Sequence, residues 1–181
     1  MLEITIPAVE AYDESKEEFV TVINEQTLRL EHSLVSLAKW ESKWQKPFLS
    51  QQQRTLEETI DYVKCMTITQ NVDPVVYGFL NNSHIKKINE YIENPMTATT
   101  FSKEQGGKAS REQVTAELIY YWMITLNIPV EFQKWHLNRL LTLIKVCSIK
   151  NQPPKKMSRN ELLSRNAALN AQRRQQLNTK G

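Results

Sequence analysis

The sequence predicts a mainly α protein: a multi-helix single domain with a central helical hairpin, a small N-terminal β-hairpin and a C-terminal basic helix. Three observations predict it. Apolar residues recur at three- and four-residue steps along most of the 181 positions. Four glycines and seven prolines are too few for a sandwich or barrel with many tight turns. Helix-start signatures stand at Thr55–Glu58, Ser110–Gln113 and Ser158–Glu161, where a hydroxyl and the side chain three residues on can satisfy each other's N–H groups. Residues 1–152 read as the helical domain and 153–181 as a basic linker plus helical arm.

At the start, Leu2, Ile4 and Ile6 alternate with polar residues, a short half-buried strand. Its expected partner is Glu17 to Val22, with Asp13-Glu14-Ser15 as the turn, a hairpin within residues 1–24 whose open edge can accept another strand. A helix is expected over Thr27 to Gln45. Leu28 and Leu30 also suit an extended chain, while Leu30, Leu34, Leu37, Ala38 and Glu41 share one helical face. Trp40 and Trp44, four apart and interleaved with Lys39, Lys43 and Lys46, admit core packing, a protein-partner patch or a nucleic-acid patch. Lys46-Pro47 ends the helix.

Ser50 to Thr69 reads as the next helix, with Glu57, Glu58 and Asp61 as a solvated acidic first turn. Asp73-Pro74 opens a short helix with Val76, Tyr77 and Leu80 inward, and His84 to Ile92 another with Ile85, Ile88 and Ile92 inward. Met96 to Phe101 reads as extended and Lys103 to Ala109 as a loop.

The central hairpin spans Ser110 to Gln152. Its first helix places Val114, Leu118, Tyr121, Trp122 and Thr125 on one face, and Asn127-Ile128-Pro129 makes the turn. Its second helix, with proline in the first turn, points Trp135, Leu137, Leu140, Leu141, Ile144 and Cys147 inward. Beyond the Pro153–Met157 linker, Leu162 to Leu177 has high helix propensity and a thin apolar stripe, a helix ordered by docking.

Charge separates the two parts. Residues 1–152 hold 16 basic and 19 acidic side chains, whereas 153–181 hold seven basic and one acidic. Such an arm can contact phosphates or fold onto an acidic protein, and the absence of a DNA-binding fingerprint favours the protein. Cys65 and Cys147, without a CxxC pattern, read as buried reduced thiols and an intracellular setting. Neither a secretory signal nor a membrane-length apolar run is recognised. His32, His84 and His136 sit singly, with no metal-ligand spacing. No nucleophile elbow, phosphate loop, dinucleotide-binding glycine pattern or zinc-protease motif occurs. The sequence therefore predicts no catalytic, cofactor or metal residues. The expected partner-binding residues are Trp40, Trp44, Trp135, Arg139, Arg165, Arg173 and Arg174.

Four segments carry a resemblance: Glu31–Trp44 with Lys46–Leu49, Tyr120–Ile124, Gln133–Arg139 and Pro153–Met157. Together they resemble a family of tailed-bacteriophage tail-region proteins, often labelled tail assembly chaperones, over nearly the whole chain. The resemblance implies a helical protein of the host cytoplasm that binds the tape measure protein and keeps it soluble during tail assembly. It brings no cofactor and no catalytic residue. It also implies a frameshifted longer form diverging at the basic arm. The rival expectations are a structural virion component (a head–tail connector or minor tail protein), and a nucleic-acid-binding regulator using the arm. A homo-oligomer is a further partner expectation beside the tape measure or another tail protein.

Overall fold

The computed structural model describes residues 1–15, 17–50, 53–101, 113–152 and 158–177. The chain is mainly α with β structure at its N-terminus, and it divides into two units, Met1–Ser148 and Ile149–Gly181.

Alternation at the N-terminus does form a strand, β1 (Leu2–Ile6), but its partner differs from the expected one. It pairs antiparallel with β4 (Gln26–Leu30), while β2 (Val9–Asp13) pairs with β3 (Glu18–Ile23). The expected turn is in place, with the Asp13 carboxylate accepting from the Ser15 N–H at 2.9 Å. Ile6 opposes Gln26 and Val9 opposes Ile23, so one register runs through both ladders until a bulge next to Val9 shifts it. Pro7, which has no N–H to give, sits where the ladder is interrupted. Ile4, Ile6, Leu28 and Leu30 are all buried, so Leu28 and Leu30 follow the two-residue strand period and not a helical one.

The helix expected from Thr27 accordingly begins only at α1 (Leu34–Trp44), where Ser33 and Ser36 form a reciprocal cap. It ends at Gln45, whose left-handed φ of 52° precedes Lys46-Pro47. Next comes α2 (Leu56–Met66), started by the Thr55/Glu58 capping box. Its exit runs along β4, where Ile68 donates to the Arg29 carbonyl at 2.8 Å and Thr67 bridges Leu30. Asp73 caps a 3₁₀ turn over Pro74–Phe79, and Asn81 caps α3 (Asn82–Glu93), which buries Ile88 and Tyr91. Met96 has a left-handed φ of 49° and no strand forms over residues 96–101.

The central hairpin needs the most correction. The signature at Ser110 lies outside the described residues, as do the loop at 103–109, the linker at 153–157 and the end at 178–181. The first helix, α4 (Ala116–Thr125), is capped by Thr115. It buries Ala116, Ile119 and Met123, whereas Tyr121 is 61% exposed and Thr125 faces solvent. Leu118 to Ile124 is apolar all round, so sequence period cannot select a face and packing on α1 does. Pro129 leads into a 3₁₀ turn, Val130–Lys134, rather than a helix, and α5 (Leu137–Asn151) starts after Trp135. Leu137, Leu140 and Ile144 are buried, with Leu141 and Cys147 half-buried. The helix that gathers the rest is α1, onto which α2, α4 and the Val130–Lys134 turn all pack.

In the second unit, α6 (Arg159–Leu177) opens on the expected cap, Ser158 N–H donating to Glu161 at 2.7 Å. None of its residues is buried. Among the described residues no helix is long and apolar enough to cross a membrane.

A candidate partner-binding cleft

Two tryptophan clusters were marked by the sequence, and the fold treats them differently. Trp40 is 2% exposed, packed edge-on to Phe48 and Tyr62, with its indole N–H donating to the Glu58 carbonyl at 2.9 Å. It offers no surface to a partner. A ring this large at the inward face of α1 is placed by its hydrophobic area, and the backbone acceptor on α2 satisfies its one polar atom. Trp44, one turn on, is half-buried, stacks on Trp40 and donates to Asp61 at 2.9 Å.

The acidic turn expected in solvent is part of this packing. Asp61 pairs with Lys43, and Glu58 with Lys46 at 2.6 Å, both carboxylates being buried while Glu57 stays exposed. The Lys46 ammonium, helped by the Thr55 N–H, holds Glu58 below the usual carboxylate range. Burial would raise Asp61, but hydrogen bonds from Lys43 and Trp44 outweigh it and the net direction is down. Lys43 and Lys46 also lie near the Trp44 ring, at 5.8 and 5.9 Å from its centroid. The outer wall of this cluster is therefore ammonium groups already engaged with carboxylates.

Trp135 and Arg139 are arranged otherwise. Trp135 stacks on Phe132 at 4.1 Å between centroids, and the Arg139 guanidinium lies 4.1 Å from its ring centroid. Trp135 is half-buried and Arg139 exposed, at the rim of a cleft of about 280 Å³. Met1, Met96 and Lys134 complete the rim, and Glu31, Tyr91 and His136 form the floor. Met96 is held near by Asn138, whose amide donates to the carbonyls of Ile92 and Asn94 at 2.8 and 2.9 Å and so satisfies the open end of α3. Glu31 is doubly engaged, accepting from the Tyr91 hydroxyl at 2.7 Å and pairing with the Met1 amino group at 3.1 Å. Burial, then Glu31, pushes the Tyr91 hydroxyl up, so it remains a neutral donor. Lys134 and Arg139 bring positive charge to the rim beside Trp135 and Met96, so the rim is apolar and cationic at once.

One residue of that floor, His136, belongs to a pair that no local sequence pattern signals. His32 and His136, read as single histidines, meet edge-on at 5.1 Å between centroids. Local pairing brings them together: Ser33 and His136 form an isolated β-bridge, and Leu137 donates to the His32 carbonyl at 2.7 Å. His136 Nε2 is 3.0 Å from the Tyr91 carbonyl, which can only accept, so that nitrogen carries the proton. Nδ1 is then a buried acceptor with no hydrogen-bond partner among the described residues. Burial, then the neighbouring His136, lowers His32 to about 3. Burial also lowers His136, opposed by the Tyr91 carbonyl and Glu31. Both rings are neutral at neutral pH, and His32, sealed from solvent beside the Tyr62 hydroxyl at 2.6 Å, cannot meet a ligand.

Arg165, Arg173 and Arg174 lie on α6 in the second unit, on one half of that helix. Cys65 and Cys147 are free and half-buried rather than buried. Among the described residues no three His, Cys, Asp or Glu side chains gather around a common metal position. Glu31, Tyr91, Met96 and Lys134 were missed as cleft residues; Tyr91 and Glu31 are 60 positions apart, and no local pattern signals such a contact. Glu41 was legible as inward-facing, but not its role: its two oxygens accept from Phe48 N–H and Ala116 N–H, both at 2.7 Å, fastening α4 to α1. Comparison with protein-family models, with curated proteins and with solved structures finds no match for this chain.

Proposed function

We propose that this chain is a non-enzymatic tail assembly chaperone of a tailed bacteriophage, holding the helical tape measure protein through the cleft at Trp135 and Arg139. The observation that carries the reading is the Trp135 stack: a half-exposed indole fixed by Phe132 and topped by a guanidinium. Tryptophan and arginine dominate the energetics of protein interfaces, and a pre-ordered pair loses little entropy on binding. Ligand pockets usually enclose ~300–1,000 Å³. An open cleft of about 280 Å³ is better matched to one or two side chains of a client helix. The resemblance to phage tail-region proteins names the client, and its cytoplasmic setting follows from that role.

Quantitative mass spectrometry of purified particles beside the infected-cell lysate tests it. A chaperone is abundant in lysate and absent from particles, and it co-purifies with the tape measure protein. A fixed copy number per particle overturns the reading in favour of a structural virion component. That second reading draws on the β2–β3 ribbon, most of whose residues are exposed.

A further inference from the structure

Two surfaces far apart in sequence lack the burial their side chains call for, and they carry opposite charge. The first is the β2–β3 ribbon. Tyr12 and Phe19 are directly paired across its strands, with ring centroids 5.3 Å apart, yet they are 54% and 71% exposed. Val20 and Val22 are exposed as well, and Ile23 is the one buried residue of the two strands. Among the described residues no third strand joins this pair. Two-stranded ribbons are marginal in water on their own. Residues 9–23 also hold five acidic side chains, Glu10, Asp13, Glu14, Glu17 and Glu18, against a single lysine. The ribbon is both greasy and strongly negative.

The second surface is α6. At 3.6 residues per turn its leucines and arginines fall together. Leu162, Leu169, Arg165 and Arg173 fall within about a quarter of the circumference, with Leu163, Arg174 and Leu177 to one side, all within about half of it, a half that also holds Asn166, Asn170 and Gln176. The other half carries Ala167, Ala168, Ala171 and Glu161 with neutral polar residues. Leu162, Leu163, Leu169 and Leu177 are between 39% and 71% exposed. An ordinary surface helix separates its apolar stripe from its charges. Here the cations sit among the leucines, which suits a target that is apolar and acidic at the same place.

We propose that the Leu/Arg face of α6 in one copy of this chain docks on the acidic Tyr12/Phe19 ribbon of a second copy. Each chain carries both halves of the contact, so two copies can exchange it reciprocally about a two-fold axis, or successive copies can pass it head-to-tail into rings or filaments. Apolar contact of Leu162 and Leu169 with Phe19 and Tyr12 supplies affinity, and the opposed charges supply orientation and rate. The contact does not involve the Trp135 cleft, so self-association and client capture stand or fall separately.

The test uses sedimentation velocity on the full chain over a dilution series, with two charge-reversal variants. One is Glu10→Lys/Glu14→Lys/Glu18→Lys in the ribbon, and the other is Arg165→Glu/Arg173→Glu/Arg174→Glu in α6. All six positions are exposed, and circular dichroism establishes that each variant folds. The wild type is expected to associate with concentration and to dissociate as salt rises. Each variant alone should associate about tenfold more weakly or worse. An equimolar mixture of the two should recover association, because each then offers a surface complementary to the other. If the ribbon variant fails to fold, the α6 variant alone decides: unchanged association sinks the proposal. A wild type that stays monomeric throughout also sinks it, as does a mixture that fails to recover. A monomer whose α6 binds anionic vesicles or duplex DNA would reassign the helix to a lipid or nucleic-acid surface and overturn the pairing.

Discussion

The Trp40/Trp44 cluster and the Trp135/Arg139 pair look alike in composition, each a tryptophan motif set among cations, and the fold puts them to opposite uses. In the first, Lys43 and Lys46 face carboxylates from the next helix, both indole N–H groups have internal acceptors, and the indole of Trp40 is driven into the core. In the second, the cation lies on the indole itself and the pair stays at the rim of a cleft. What separates them is not the tryptophan but where the nearest acidic residues fall. Glu58 and Asp61 are one helix away from Trp40, whereas Glu31, which lines the Trp135 cleft, is occupied by Tyr91 and the Met1 amino group.

The largest expected effect follows from the first cluster. Trp40→Ala should destabilise the protein by about 3–5 kcal/mol, the usual cost of removing a fully buried aromatic ring. Urea unfolding measures it, and a loss below about 1 kcal/mol would mean that Trp40 is not core. Next comes Glu41→Ala. It leaves the Phe48 and Ala116 N–H groups buried without acceptors, at about 2–4 kcal/mol for the pair. Amide exchange in the first turn of α4 should rise with it; unchanged protection there would detach α4 from this contact.

Acid should act through the histidine pair before it reaches the carboxylates. An unfolded histidine takes up a proton near 6.5, while folded His32 stays neutral down to about 3. Between those values the unfolded chain binds more protons, so stability falls as pH falls, by about 1.4 kcal/mol per pH unit for one fully differential group. His136 adds to the slope in the same direction. Glu58 and Asp61, with folded values below the ordinary 4.5 and 3.8, contribute stability that is present above those values and lost only beneath them. The window from pH 6.5 to 4.5 therefore isolates the histidines. Urea midpoints across it should drop for the wild type and drop less for His32→Gln, and equal slopes would remove His32 as the cause.

The fold was legible where its determinants are local. The caps at Thr55, Asp73 and Ser158 are each three residues or fewer from the N–H they satisfy, and the left-handed end of α1 sits beside Lys46-Pro47. Strand pairing was not, because choosing β4 over β3 as the partner of β1 turns on whether Leu28 and Leu30 follow a two- or a four-residue period, and the two periods overlap at Leu30 and Leu34. The face of α4 was hidden for the opposite reason: a segment apolar on every side holds no pattern to read. In the cleft, Trp135 and Arg139 declared themselves by type and spacing, whereas Tyr91, Glu31 and Met96 arrive from three other parts of the chain. The histidine pair depends on a bridge between residues more than a hundred positions apart.

The smallest stability effect carries the sharpest test of the comparison. Arg139→Ala removes an exposed guanidinium from the Trp135 ring, worth about 0.5–1 kcal/mol of folding stability. If the cleft holds a client helix, the same change should weaken capture of the tape measure protein about tenfold or more, because truncating an interface arginine also leaves its partner groups unpaired. Trp44→Ala is the matched control. It loses a hydrogen bond to Asp61 and the stack on Trp40, and so should cost more stability than Arg139→Ala while leaving capture unchanged. Pull-down of the co-expressed client with both variants reads the two quantities against each other. Should capture fall with Trp44→Ala under conditions where circular dichroism shows that variant fully folded, and survive Arg139→Ala, the roles of the two clusters are reversed and the binding surface belongs to the lysine-topped ring.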